Sequence, residues 1–165
     1  MKIDLSGLFN NSVKEIPIEE TFDFSDFVYS TYTPIKDGVK AKGTVFTKAD
    51  VIYLDLDICF NFSGFCDRCA ESVEKSFSFH VDKIIVEKLQ NEQDGDDYIV
   101  VKNRTLDLDE LVNEEVVLFL PSKILCKDDC KGLCAQCGAN LNVEKCDCKK
   151  DVDPRMEALL QLLDE

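Results

Sequence analysis

Apolar and polar residues alternate from Val51 to Ser63. Ile52, Leu54, Leu56, Ile58, Phe60 and Phe62 share one side, and Asp55, Asp57, Cys59, Asn61 and Ser63 share the other. A period of two is that of an extended strand with one buried face. The stretch from Val73 to Val86 repeats it, with Phe77, Phe79 and Val81 opposite Ser78, His80 and Asp82. Val39 to Thr47 also reads as extended, and Thr47-Lys48-Ala49-Asp50 as the hairpin connection into the next strand. Three strands with short connections predict an antiparallel meander. Met1 to Leu8 and Val13 to Phe24 are expected to add edge strands. Tyr98 to Val101 is expected as a short strand after the acidic, turn-rich loop Asn91 to Asp97.

The period then changes. Leu108, Leu111, Val112, Val116 and Leu120 recur at helical spacing and end at Pro121. Asp107 stands where a helix cap is needed, and Glu110 follows it in the capping-box position. A final helix is expected to open at Asp153-Pro154 and to bury Met156, Leu159, Leu160 and Leu163. The predicted class is α+β: an antiparallel β-meander with one or two helices and a C-terminal cysteine-rich, zinc-binding segment. Residues 1–121 would form the sheet domain with its capping helix. Residues 122–165 would form the zinc-binding segment and terminal helix, packed on the first.

A chain of 165 residues with 45% hydrophobic content can bury a core. Its formal net charge of −14 repels phosphate backbones and favours basic partners, although such charge also serves solubility. The N-terminus lacks the basic start and long apolar run of a signal peptide, and no stretch approaches the roughly 20 apolar residues of a spanning helix. Nine cysteines without a secretory signal point to a reducing compartment, the cytoplasm, and to metal ligation rather than disulfides.

Cys66-Asp67-Arg68-Cys69 and Cys134-Ala135-Gln136-Cys137 are both C-x2-C pairs, a spacing that turns two sulfurs toward one tetrahedral ion. Gly138 follows the second pair and can take the positive backbone angle of a zinc knuckle. Cys126 with Cys130, and Cys146 with Cys148, supply two more pairs. Four pairs fill two closed sites, so two zinc ions are expected. The preferred division makes Cys134, Cys137, Cys146 and Cys148 a local site. Cys66 and Cys69 then join Cys126 and Cys130 in a site that staples the strands to the tail. The rival division mixes Cys130, Cys134, Cys137 and Cys146 and leaves the rest idle.

Burial of these thiols as small apolar residues fits poorly beside Lys127, Asp128, Asp129, Lys131 and Lys149. A redox centre fits poorly too, because neither C-x2-C pair opens a helix after a strand. Cys59 falls on the polar strand face and reads as structural. His80, the lone histidine, reads as solvated, as do Asp55 and Asp57. Lys145, Lys149, Lys150 and Arg155 form the one local basic patch, which could touch RNA phosphate beside the knuckle but is better explained as salt partners of an acidic surface. No catalytic triad, phosphate loop, paired-carboxylate cleft or small-molecule site stands out. A binding factor is therefore favoured over a thiol or zinc-dependent enzyme, with a zinc-ribbon adaptor for another basic protein as a further alternative.

The run from Leu125 to Asn142, with its Cys-Lys-Gly-Leu-Cys element, then Cys146-Asp147-Cys148 and Asp153-Pro154-Arg155, resembles the YceD family of bacteria and plastids. Cys66-Asp67-Arg68-Cys69 matches that family's upstream C-x-R-C element. Ala70 and Ala135, the latter where proline is common, depart from the pattern without touching a ligand. The resemblance implies a non-catalytic role in accumulation of large-subunit ribosomal RNA and in ribosome assembly. The implied partner is a ribosomal protein, that RNA, or both. Family members that lack the later cluster but keep C-x-R-C imply that the local site is an optional stabiliser.

Overall fold

The computed structural model describes residues 1–88 and 97–148. The elements run β1 (Lys2–Asp4), α1 (Ser6–Phe9), β2 (Glu15–Phe22), β3 (Val39–Lys48), β4 (Val51–Phe65), β5 (Ser72–Val86), β6 (Tyr98–Val100), β7 (Thr105–Asp107) and α2 (Leu108–Phe119). Five strands form one sheet in the order β2-β3-β4-β5-β6. The first four are antiparallel neighbours, as the period-two pattern predicts. The fifth departs from the meander. β6 runs parallel to β5, pairing Ile84 with Tyr98 and Val86 with Val100, and so makes the sheet mixed.

Each strand's position follows from its side chains. On β4, Ile52, Leu54, Leu56, Ile58, Phe60 and Phe62 are all 4% exposed or less, while Asp55, Asp57 and Cys59 face solvent. Burying each such side chain contributes about 1.5–3 kcal/mol, and β4 supplies more of the buried apolar side chains than any other element. At the edge, the Thr47 N–H donates to the Lys14 carbonyl, which places Ile16, Ile18, Glu20 and Phe22 at the bonded positions of β2. Pro17 therefore falls where an N–H would point away from the sheet, and its missing donor costs no ladder bond.

α2 covers the buried face. Leu108, Leu111, Val112 and Val116 are buried, and Phe119 stacks on Phe79 of β5 with ring centroids 4.1 Å apart. Leu120 ends the helix and is only partly buried. The helix starts at Asp107 as expected, but Asp107 makes no capping hydrogen bond. The Leu108 N–H instead donates to the Met1 carbonyl, and the Met1 amino group pairs with Asp109. The first N–H of the helix is thus met by Met1, the residue before β1. Met1 to Leu8 does not form the expected edge strand of the meander: β1 pairs with β7 in a separate two-stranded sheet, and Ser6–Phe9 is a helical turn.

The predicted terminal helix and most of the acidic loop lie outside the described residues. Among the described residues no helix is long and apolar enough to cross a membrane.

Candidate metal centres

β4 and β5 are joined by a tight knuckle, and it carries the first C-x2-C pair. The Ala70 N–H donates to the Cys66 carbonyl at 2.9 Å, and Ala70 takes a positive φ of 58°. The second pair is built in the same way: the Gly138 N–H donates to the Cys134 carbonyl at 2.9 Å, with φ at 74°. In both, the left-handed residue after the second cysteine curls the chain and turns both sulfurs inward.

Cys126 and Cys130 reach the first knuckle because the chain after α2 is clamped to it. The Asp67 N–H donates to the Ile124 carbonyl at 2.8 Å, and the Ile124 N–H returns a bond to Asp67 Oδ2. Arg68 Nη1 donates to the Cys130 carbonyl at 2.8 Å. Gly132, at φ 77°, lets the chain pass close over the knuckle, where an added Cβ would come within 3.1 Å of the Arg68 carbonyl oxygen.

The sulfurs of Cys66, Cys69, Cys126 and Cys130 gather within 4.8 Å of one another, and so do those of Cys134, Cys137, Cys146 and Cys148. Cys130 thus stands in one group and Cys134, Cys137 and Cys146 in the other, so the mixed division is not the one formed. Cys66 and Cys130 sulfurs are 3.7 Å apart, and those of Cys69 and Cys126 are 3.5 Å apart. Both distances exceed a disulfide bond, which is about 2.05 Å. They match the edge of a four-thiolate tetrahedron, about 3.8 Å for metal–sulfur bonds of about 2.3 Å. Each group can therefore hold one metal ion. The first, or inner, cage is buried except for partly exposed Cys126; the outer cage is half-buried, with Cys137 and Cys148 exposed.

Crowded thiols cannot all ionise without a cation, and their acidities split accordingly. Burial opposes the Cys66 thiolate, yet N–H groups of Arg68, Cys126 and Cys69 outweigh it and lower its pKa to about 6. The Glu71 N–H favours the Cys69 thiolate, but burial and the thiols of Cys66, Cys126 and Cys130 push that group up to about 12. In the outer cage, N–H groups of Cys137 and Gln136 bring Cys134 down to about 6. The Cys137 thiol, aided by burial, raises Cys148 to about 12. A divalent cation supplies the charge that lets all four sulfurs of a cage ionise together.

The remaining sequence candidates sit elsewhere. Cys59 is exposed on the open sheet face, opposite Lys40. His80 is on the same face, its Nδ1 2.8 Å from Asp57 Oδ1 and its Nε2 3.9 Å from Asp55 Oδ2. Of the basic patch, only Lys145 lies within the described residues. Sequence reasoning gave no role to Glu71, Asn140 and Asn142, whose side chains surround the inner cage: Asn142 Nδ2 donates to Cys130 Sγ at 3.3 Å, and Asn140 Nδ2 to Glu71 Oε1 at 2.9 Å. Two asparagines flanking one leucine just past the second knuckle were the available signal.

The family model described as large ribosomal RNA subunit accumulation protein YceD matches residues 54–163. This chain belongs to the YceD family. The YceD match takes in both cages, β5 and α2, while β1, β2 and β3 precede it. The uncharacterized protein YlbN of Bacillus subtilis is 29% identical over 127 residues, which cover 76% of this chain and 74% of the relative. An uncharacterized protein of Mycobacterium bovis is 30% identical over 103 residues, 61% of this chain and 50% of that protein. The chain thus spans about half the length of that mycobacterial relative. Over 48 residues, 29% of this chain and 15% of the relative, it is 38% identical to an Arabidopsis thaliana protein. That protein is named large ribosomal RNA subunit accumulation protein YCED homolog 1, chloroplastic. No solved structure gives a significant match.

Proposed function

We propose that this chain is a non-catalytic zinc-binding factor that supports accumulation of large-subunit ribosomal RNA, and with it ribosome assembly in the cytoplasm. One zinc would fill each cage. The observation that carries the binding role is the closure of the sulfur groups. A zinc held by four thiolates has no open position for a water or a substrate, which is the arrangement of a structural site rather than a catalytic one. The ribosomal direction comes from the family and from the name of the Arabidopsis relative. The charge of −14, made more negative by about −2 for each zinc–thiolate cage, favours contact with a basic ribosomal protein over contact with phosphate.

The test is depletion of the protein in its own host, with large- and small-subunit ribosomal RNA quantified separately. The expected result is a selective fall in the large-subunit species. Re-expression of the intact chain should restore it, and a chain with Cys66→Ser and Cys69→Ser should not. An unchanged ratio of the two RNAs would sink the proposal and leave the adaptor reading, in which the same cages present a surface to another basic protein.

A further inference from the structure

We infer that Asn142 is a positioning residue for the inner cage and is itself held in place by the outer one, so that the two metal sites fill cooperatively. The inference rests on the metal-binding reading above and goes beyond it, to the order and dependence of filling.

In the sequence Asn142 belongs to the outer cage, lying between Cys137 and Cys146 in the loop whose ends that cage ties together. In space its side chain serves the other one. Nδ2 donates to Cys130 Sγ at 3.3 Å and to Asn140 Oδ1 at 2.9 Å, while Oδ1 accepts the Lys131 N–H at 2.9 Å. Asn140 Oδ1 also accepts the Asn142 N–H at 3.0 Å, and Asn140 Nδ2 donates to Glu71 Oε1 at 2.9 Å. The second oxygen of Glu71 stands 3.8 Å from Cys69 Sγ. The contacts therefore leave one inner ligand, Cys130, cross two residues of the outer loop, and end at Glu71 beside Cys69, whose sulfur can donate to that carboxylate only while it is protonated.

Chemistry gives this route its weight. Four thiolates around a divalent ion carry a net charge of about −2, and an N–H donated to one sulfur disperses that charge. A neutral amide suits the position because it can donate to sulfur while accepting a backbone N–H, with no added charge. Partners of this kind, one step out from the metal, typically change affinity ten- to a hundredfold. The loop is pinned to the Lys131–Leu133 stretch by the Leu141 N–H to the Gly132 carbonyl at 3.0 Å and by the Leu133–Asn140 bridge. Outer sulfurs gathered on a metal would tie both ends of that loop and so steady this pairing, and Asn142 with it, over Cys130. Coupling of this sort acts equally in both directions.

The test uses the full-length chain, with cobalt(II) for affinity and cadmium-113 resonances as a local probe. Cys134→Ser with Cys137→Ser keeps every inner ligand, yet should weaken inner-cage cobalt binding about tenfold or more. Asn142→Leu should weaken it comparably with all eight sulfurs present. It should also shift the cadmium resonance that survives in the double-cysteine variant. Adding Asn142→Leu to that variant should cost little more, because the amide has already lost its support. Unchanged inner affinity in the double-cysteine variant, or losses that simply add, would overturn the coupling and leave the metal reading standing. A wild-type chain that takes up neither cobalt nor cadmium would overturn both. Should the double-cysteine variant not fold, Asn142→Leu alone decides: two unmoved cadmium resonances overturn the proposal.

Discussion

Among the residues on the open sheet face, His80 stands beside three carboxylates. Its hydrogen bond to Asp57 stabilises the imidazolium, with Asp55 and Asp82 adding attraction, and the pKa rises above the ordinary 6.5 despite some desolvation. Because the folded value is raised, the stabilisation is fully present below pH 6.5 and is lost as pH climbs through the folded value. A proton NMR titration should place His80 above 6.5, and Asp57→Asn should bring it back down; a wild-type midpoint at or below 6.5 would contradict the geometry. The sequence alone shows His80 only as a solvated residue, because its hydrogen-bond partner Asp57 and its neighbour Asp55 lie on β4, with Asp57 directly opposite. The eight clustered cysteines were legible for the opposite reason: paired ligands sit a fixed few residues apart. Asn140 and Asn142 were not, since an amide acquires a role only from the atoms that folding brings near it.

At the scale of elements, the two knuckles share a turn but not a residue. Ala70 holds at φ 58° the conformation that Gly138 holds at 74°. An alanine there costs roughly 1–2 kcal/mol, and glycine gives back about 0.4–1 kcal/mol through its freer unfolded chain. Ala70→Gly should therefore stabilise the metal-loaded protein by about 1 kcal/mol, read as a higher urea midpoint at unchanged slope. A lower midpoint would mean that the left-handed turn carries no strain. The main strands were legible from alternation alone, because a one-residue slip of β4 would turn six apolar side chains outward. What alternation could not supply was partnership. It does not say that β1 pairs with β7 apart from the main sheet, that β6 adds in parallel, or that Met1 rather than the Asp107 side chain meets the start of α2.

For the whole molecule, a metal held in these cages would be linked to the fold, since binding energy at a site absent from the unfolded chain is folding energy. The purified protein should carry two zinc equivalents by metal analysis. The chain with Cys134→Ser and Cys137→Ser should carry one, and a strong chelator should lower the thermal midpoint of the wild type. A zinc content near zero, with thiols intact, would refute this. The inner cage also imposes an order on biogenesis. Its sulfurs meet across 57 and 64 residues of chain. At synthesis rates of about 5–20 residues per second, Cys66 and Cys69 leave the ribosome about 3–12 s before Cys126 follows. Throughout that interval the nascent sheet presents a half-built, two-thiol end, and any ion caught there stays exchangeable. A metal at this site can be enclosed by four sulfurs only once Cys126 and Cys130 have followed the knuckle out.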